Sequence, residues 1–270
     1  MNVRYVRLIE EGEEDLWNRE KDFSRLFGQV WLHNGGASHG PVDHLRYIRE
    51  RRGEKIIALD EDSQTLLGWI AVFPDRDVGG QVYSLAGIEV HADHRGKGIG
   101  VGLMEAVRLY CEEKKVHRLK FGTSPLLTRC ARLYVTRFGA RYRWKQGVRS
   151  PTGRPWPCVS CECDFDYPLA KPLDLREDEV EARSVLDWEG SRPVPRGGMM
   201  YSGPLSVTLP ELTADGLADA VKGVPRFLEI LYAAFDALFV HGYGFAWFDR
   251  VAEASGPACF YYVMKRVMSI

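Results

Sequence analysis

Apolar positions along the first half of the chain switch between two periods. Residues 3–8 alternate and read as a strand, while residues 11–27 carry Leu16, Phe23, Leu26 and Phe27 at helical spacing over a thin apolar face. A turn-rich stretch from His33 to Pro41 leads into a short helix near 43–51, for which Asp43 reads as the N-cap. Two strands follow, 55–59 and 65–73, joined as a hairpin by the polar residues 60–64. Residues 81–90 form another strand. The period then changes from two to 3.6, and Ile99, Leu103, Ala106, Val107 and Tyr110 line one face of a helix running to about residue 115. A strand at 118–121, a helix at 126–138, a strand at 140–144 and, beyond a Gly- and Pro-rich loop at 150–157, a strand at 158–167 complete the series. The order β, α, α, β, β, β, α, β, α, β, β predicts the α/β class, with a mixed sheet carrying helices on its faces.

Residues 168–196 combine prolines with a block of acidic side chains and read as a linker. After it come a strand at 205–209, a helical stretch at 213–241 that Pro225 kinks or breaks, and strands at 245–251 and 258–267. The domain reading is therefore a first domain at 1–167, a linker at 168–196, and a smaller α+β accessory domain at 197–270.

Composition narrows the function. A chain that is 45% hydrophobic and 27% charged is neither disordered nor fibrous. Lys and Arg number 36 against 37 Asp and Glu, a formal net charge of -1. Proteins that live on phosphate backbones carry a basic excess, so no nucleic-acid partner is expected. No apolar run approaches the roughly 20 residues of a membrane span, since the longest, 227–240, is interrupted by Glu229 and Asp236. The first ten residues carry charge where a signal peptide needs an apolar stretch, so a cytoplasmic protein is expected. Of the six cysteines, Cys111, Cys130 and Cys259 lie singly in apolar segments, where a thiol acts as a small hydrophobe. Cys158, Cys161 and Cys163 supply one Cys-x-x-Cys, but a structural zinc site commonly draws four ligands from two such pairs. Strand alternation also sends Cys158 and Cys161 to opposite faces. No metal is expected.

The segment that carries chemistry is 88–100, at the junction of a strand with a helix. A helix start offers unpaired N–H donors and a partial positive charge. Gly96, Gly98 and Gly100 let a ligand approach the backbone, and Arg95 and Lys97 add positive charge at the rim, which together make a cradle for a phosphate or pyrophosphate. A P-loop needs Lys-Ser or Lys-Thr near its last glycine, whereas Val101 follows Gly100; the dinucleotide fingerprint follows a first strand, and this strand is about the fourth. Arg95, Gly98 and Gly100 instead fit Arg-x-x-Gly-x-Gly. The plainer reading, a flexible helix cap, needs one glycine, and each further one adds an ordering cost of about 0.5–1 kcal/mol.

At these residues the sequence resembles the GNAT acyltransferase superfamily, whose pyrophosphate loop has this pattern between its fourth strand and third helix. Ala131, Leu133 and Tyr134 are similar to the family's second signature, with Thr128 where asparagine is usual and Phe138-Gly139 inverted from the family's Gly-Phe. The segment from Leu67 to Val72 and the strand order also suit the family, and the resemblance covers about residues 1–167. It implies the GNAT acyl-CoA N-acyltransferase fold and transfer of an acetyl or larger acyl group from coenzyme A to an amine by direct attack on the thioester. Ile88, Glu89 and Val90 match the strand that holds the cofactor arm and thioester. Arg95, Gly96, Lys97, Gly98, Ile99 and Gly100 match the pyrophosphate loop, and Thr128 and Ala131 match further cofactor positions. Tyr134 matches the family's general acid toward the leaving thiolate, the alternative being a ring packed under the cofactor. Glu89 is the candidate base; His91, His94 or a water relay to a backbone carbonyl stay open. The acceptor, a small-molecule or peptide amine, is expected among Trp31, His33, Asn34, Asp43 and His44. The other class of reading is an acyl-CoA-binding sensor or scaffold with weak or no catalysis. The C-terminal domain, where His241 and Cys259 stand alone in apolar surroundings, is expected to dimerise the protein or act as a lid, which leaves a homodimer open.

Overall fold

The computed structural model describes residues 2–13, 41–75, 81–148, 157–165, 183–189, 192–195, 205–210, 223, 226–251 and 259–266. The chain divides into two compact units, Met1–Phe121 with Asp164–Asp166, and Gly122–Cys163 with Tyr167–Ile270. That division falls inside the interval 1–167.

In the first unit the elements are β1 (Val3–Arg7), α1 (Pro41–Glu50), β2 (Glu54–Asp60), β3 (Leu66–Pro74), β4 (Val82–Val90), α2 (Ile99–Glu113) and β5 (Arg118–Thr123). Strands β1 to β5 adjoin in that order. Pairing is antiparallel from β1 to β4 and parallel between β4 and β5, so the sheet is mixed, as the element order predicts. β2 and β3 are buried at nearly every position because the sheet is covered on both faces. One face gathers Val6, Leu8, Ile57, Leu59, Leu66, Trp69 and Ala71 with Leu45 and Ile48 of α1. On the other, α2 lies against β2, β3 and β4 and buries Ile99, Leu103, Met104, Val107, Tyr110 and Cys111. Each such aliphatic side chain contributes about 1.5–3 kcal/mol of hydrophobic stabilisation. Glu54 is wholly buried, yet its carboxylate accepts from the backbone N–H groups of Ile9 at 2.8 Å, Glu10 at 2.9 Å and Lys55 at 2.8 Å, which secures the turn leaving β1.

The second unit holds α3 (Thr128–Arg132), which continues as one π turn over Leu133–Arg137, then β6 (Arg141–Trp144), β7 (Val159–Asp164), β8 (Arg183–Ser184), β9 (Leu186–Glu189), β10 (Arg192–Pro195), β11 (Leu205–Pro210), α4 (Phe227–Val240), β12 (Tyr243–Val251) and β13 (Cys259–Arg266). β6 and β7 form an antiparallel hairpin, β9 pairs with β10, and β12, β13, β11 and β8 make a four-stranded sheet in that order. α4 is tied to β6 and the turn that follows it. The Trp144 indole stacks on Phe235 with ring centres 5.4 Å apart and donates to Asp236 Oδ1 at 3.1 Å, and the Gly147 N–H donates to the Tyr232 hydroxyl at 2.9 Å.

Three local expectations change. Asp43 is not an N-cap: Pro41 opens α1, since its missing N–H is one the first turn leaves unbonded anyway, and Asp43 falls inside the helix. The helix expected at 126–138 is five α-helical residues followed by the wider π turn, because spacing of apolar residues does not distinguish a four-residue from a five-residue closure. The interval 168–196 contains strands β8, β9 and β10; Pro193 and Pro195 sit in a two-stranded pair, where an edge tolerates a missing N–H. The helix expected at 11–27 lies outside the described residues except for a turn at 11–12, as do the start of the 213–241 stretch and Pro225. Among the described residues no helix is long and apolar enough to cross a membrane.

Gly68 is a site of close approach. A Cβ there would stand 2.6 Å from the Glu89 carbonyl oxygen and 3.2 Å from Val90 Cα, both backbone atoms of β4. Gly68→Ala is expected to lower stability by about 1–3 kcal/mol as the two strands are forced apart. Urea denaturation measures it, and a loss under about 0.5 kcal/mol, the scale of an ordinary surface substitution, contradicts this packing.

Candidate functional site

The site grows out of an irregularity in β4. Ala71 of β3 pairs with Gly87 and Val72 pairs with Leu85, so β4 carries one extra residue, Ala86, and bulges. A bulge bends the strand and raises its twist. On its other edge β4 pairs with β5 only from Val82 to Ser84. From Leu85 to Val90 that edge has no strand partner among the described residues, and Leu85 to Ile88 and Val90 are half-exposed. A strand edge in that state offers backbone N–H and C=O groups to an extended ligand.

Just beyond β4 a short 3₁₀ turn, Ala92–His94, leads into the glycine-rich loop. Arg95 Nε donates to the Val90 carbonyl at 3.1 Å and so holds the loop to the end of the strand. Gly96 and Gly98 have φ of 77° and 84°, a region that favours glycine, and the space a Cβ would occupy is open at both. Gly98 is the N-cap of α2, with no side-chain cap and no acidic residue in the first turn. The first helical bond runs from the Gly102 N–H to the Gly98 carbonyl at 3.0 Å, which leaves the N–H groups of Ile99, Gly100 and Val101 without a partner inside the helix. A 15-residue helix that starts with three such donors, with exposed Lys97 and half-buried Arg95 beside it, fits a phosphate or pyrophosphate.

Glu89 does not face solvent. Strand register sets Ile57, Trp69 and Glu89 in one row, and Lys55, two residues before Ile57, shares their face. Glu89 is 7% exposed; its Oε2 accepts from Trp69 Nε1 at 3.1 Å, and its Oε1 is buried with no hydrogen-bond partner among the described residues. The Lys55 Nζ lies 4.2 Å from the centre of the Trp69 ring, and both side chains are fully buried. Burial pushes the Glu89 carboxyl up to about 7, against the opposing effects of the Trp69 bond and the Lys55 and Arg95 charges. Burial also holds the Lys55 amine well below its ordinary range, with Glu89 acting the other way. A carboxyl raised on folding weakens the fold as pH rises from its unfolded value toward about 7. The sequence reading missed Lys55 and Trp69; the available signal was a lysine sharing the period-two face of the apolar residues Ile57 and Leu59.

The remaining candidates are placed individually. His91 accepts from the Asp93 N–H at 3.3 Å and stands edge-on to His94, with ring centres 5.5 Å apart. Thr128, Ala131 and Tyr134 belong to the second unit, and all three are buried. Tyr134 lies in the π turn, 4% exposed, and burial pushes its phenol well above the ordinary range, with Cys130, Cys161 and Cys163 acting in the same direction. The phenol therefore stays protonated. Trp31, His33 and Asn34 lie outside the described residues, as do the side chains of Asp43 and His44. Among the described residues no three His, Cys, Asp or Glu are grouped to hold a metal ion.

A mixed sheet with a bulged, half-open fourth strand and a glycine-rich helix start without a side-chain cap defines an α/β domain. Residues 14–140, a little under half of the chain, match the acetyltransferase (GNAT) family, and that segment is a GNAT domain; the C-terminal region lies outside the match. No curated protein matches the chain. Solved structures similar to it include an N-acetyltransferase from Staphylococcus aureus Mu50, at 13% identity over 61% of this chain and 99% of that one with a TM-score of 0.48. A ribosomal-protein-alanine N-acetyltransferase from Brucella melitensis is similar at 17% identity, over 61% of this chain and 99% of that one, with a TM-score of 0.48. A Salmonella typhimurium protein solved with its cofactor acetyl-CoA is similar at 16% identity over 64% and 98%, with a TM-score of 0.49.

The Trp69 bond gives a pH-dependent prediction. Trp69→Phe keeps a ring and removes the donor to Glu89. A bond to an ionised acceptor is worth about 1.5–3 kcal/mol and one to a neutral acceptor about 1. The variant's stability deficit should therefore be smaller at pH 5, where Glu89 is protonated, than at pH 8, where it is ionised. Thermal unfolding at the two values measures this, and a deficit that shrinks with rising pH contradicts it.

Proposed function

We propose that the protein is a coenzyme-A-dependent N-acyltransferase that moves an acetyl or larger acyl group to a small-molecule or peptide amine. The observation that carries the reading is the open helix start, in which Gly96 and Gly98 present backbone with free space above it and α2 has no side-chain cap. Arg95, Gly96, Lys97, Gly98, Ile99 and Gly100 would hold the pyrophosphate, and the unpaired edge of β4 at Ile88 and Val90 would hold the extended arm. Acyl-CoA supplies an activated thioester, so the protein has only to orient it, polarise its carbonyl and manage protons.

Glu89 is the proposed general base. A carboxyl raised to about 7 is half ionised near neutrality, and Oε1 is the oxygen without a protein donor. Tyr134 is the proposed general acid; its burial keeps the proton on the phenol until a stronger base arrives. Thr128 and Ala131 complete the proposed cofactor residues. The same reading places the protein in the cytoplasm, with 197–270 as a dimerisation or lid domain. The near-complete burial of Tyr134 favours a second reading, an acyl-CoA-binding module without turnover. Thiol release on mixing acetyl-CoA with a panel of amines separates the two.

Acetyl-CoA should raise the melting temperature, because a ligand selective for the folded state stabilises it by mass action. Gly98→Glu puts a carboxylate and a strained left-handed residue at the helix start, so the shift should vanish while circular dichroism stays native. A shift retained in the variant means that the loop is not the binding site. Tyr134→Phe should lower kcat by about 10²–10⁴-fold with little change in cofactor affinity if the phenol donates the proton. Steady-state kinetics at saturating acceptor decide, and a wild-type kcat removes the acid role.

A further inference from the structure

Resting on the reading of the protein as an acyltransferase with Glu89 as its base, we infer that the acceptor is an amine that also carries a carboxylate, and that Arg51 receives that carboxylate. Arg51 stands in the turn that leaves α1. Its guanidinium carbon lies 4.5 Å from the centre of the Tyr47 ring and 4.8 Å from that of Phe73. The two rings meet edge to face, with centres 6.0 Å apart and planes at 89°, and so form a corner that holds the cation. All three residues are half-buried. Among the described residues no carboxylate pairs with the guanidinium.

A basic side chain near a helix end commonly bonds the last carbonyls. Here the backbone already does so: the Arg51 N–H donates to the Tyr47 carbonyl at 3.3 Å, Arg52 to Arg49 at 2.9 Å and Gly53 to Ile48 at 2.9 Å. Arg52 takes the left-handed φ of 57° that closes such a turn. Gly53 then presses on β3, where a Cβ would stand 2.2 Å from the Val72 carbonyl oxygen and 2.8 Å from Phe73 Cβ. The turn is thus locked to the strand that supplies one of the two rings. A guanidinium restrained by two rings has little further freedom to lose on binding, and its N–H fork matches both oxygens of a carboxylate.

Strand register relates this corner to Glu89. Tyr47 and Phe73 pack on the core cluster that includes Trp69 and Ala71, which puts the guanidinium on the α1 face of the sheet. Glu89 is on that face too, paired across from Trp69 and bonded to it. Phe73 follows Trp69 by four residues on β3, about 13 Å at the rise of a strand. Over the same span β4 presents Ser84 to Ile88, all half-exposed, among them the small residues Ala86 and Gly87. An acceptor laid over that face with its nitrogen toward Glu89 reaches Arg51 with a carboxylate about one extended tripeptide away.

Triglycine and triglycine amide test the inference, since they differ only in the terminal carboxylate. In the full chain labelled with ¹⁵N at arginine, the Arg51 Nε signal is the one absent from Arg51→Lys. It should shift on titration with triglycine and stay in place with the amide. With acetyl-CoA, kcat/KM should favour triglycine over the amide by about 10–100-fold, the usual effect of a charge-assisted bidentate pair. Arg51→Gln should bring that ratio to about one, and Arg51→Lys, which keeps the charge without the fork, to an intermediate value. A purely structural arginine lowers both rates together and leaves the ratio where it was, which overturns the inference. A signal that ignores triglycine, or follows the amide equally, overturns it as well. Transfer without preference for the acid overturns it and leaves the acyltransferase reading standing. A signal that shifts with the acid while no amine accepts an acyl group overturns the acyltransferase reading, and the acceptor role of Arg51 with it.

Discussion

Strands β2 and β3 are covered on both faces, so a charge placed along them, or on the neighbouring strand where the cover extends, must be answered from within the protein. Glu54 is answered by three backbone N–H groups and has a structural task, securing the turn after β1. Glu89 is answered by one indole donor on one oxygen, which leaves the other oxygen open. The two carboxylates share the same sheet and differ in how completely they are satisfied. That difference sets the structural glutamate apart from the one proposed as the base, and both follow from the hydrophobic cover that α1 and α2 supply.

A second dependence runs through β4. Its bulge at Ala86 and the end of its pairing with β5 after Ser84 leave the strand attached on one side only. Continuous pairing to β5 would occupy the backbone groups that the proposed cofactor arm would use. The same strand delivers the chain into the turn that Arg95 holds and into α2. An open edge and an open helix start therefore lie in succession along one segment, from Leu85 to Gly100. An extended molecule ending in phosphate groups is complementary to that order of backbone donors and acceptors.

The second unit has its own logic. Trp144 brings an aromatic face to Phe235 and an N–H to Asp236, so the β6–β7 hairpin is held by the residues of α4. Val159, Cys161 and Cys163 are buried in alternation along β7, and the thiols pack there as small apolar groups. Tyr134, on the π turn of the same unit, is enclosed so fully that its phenol is kept neutral.

What the sequence determined is whatever depends on local periodicity and on residues with unusual backbone freedom. The alternation at 55–59 and 65–73 placed the central hairpin within a residue or so of β2 and β3, and the change of period after Val90 located α2. The glycines at 96 and 98 marked the helix start, because left-handed backbone there strongly favours glycine. Only the tertiary structure decided what depends on register between strands distant in sequence. Lys55, Trp69 and Glu89 are separated by 14 and 20 positions, and no single window holds them; pairing of β2 with β3 and β3 with β4 puts them on one face. Nor does a sequence period show that Tyr134 sits in a π turn, that prolines can occupy the edge strand β10, or that Pro41 rather than Asp43 begins α1. Those outcomes rest on which backbone donors lack partners once the chain is packed, a property of the whole fold that neighbouring residues do not carry.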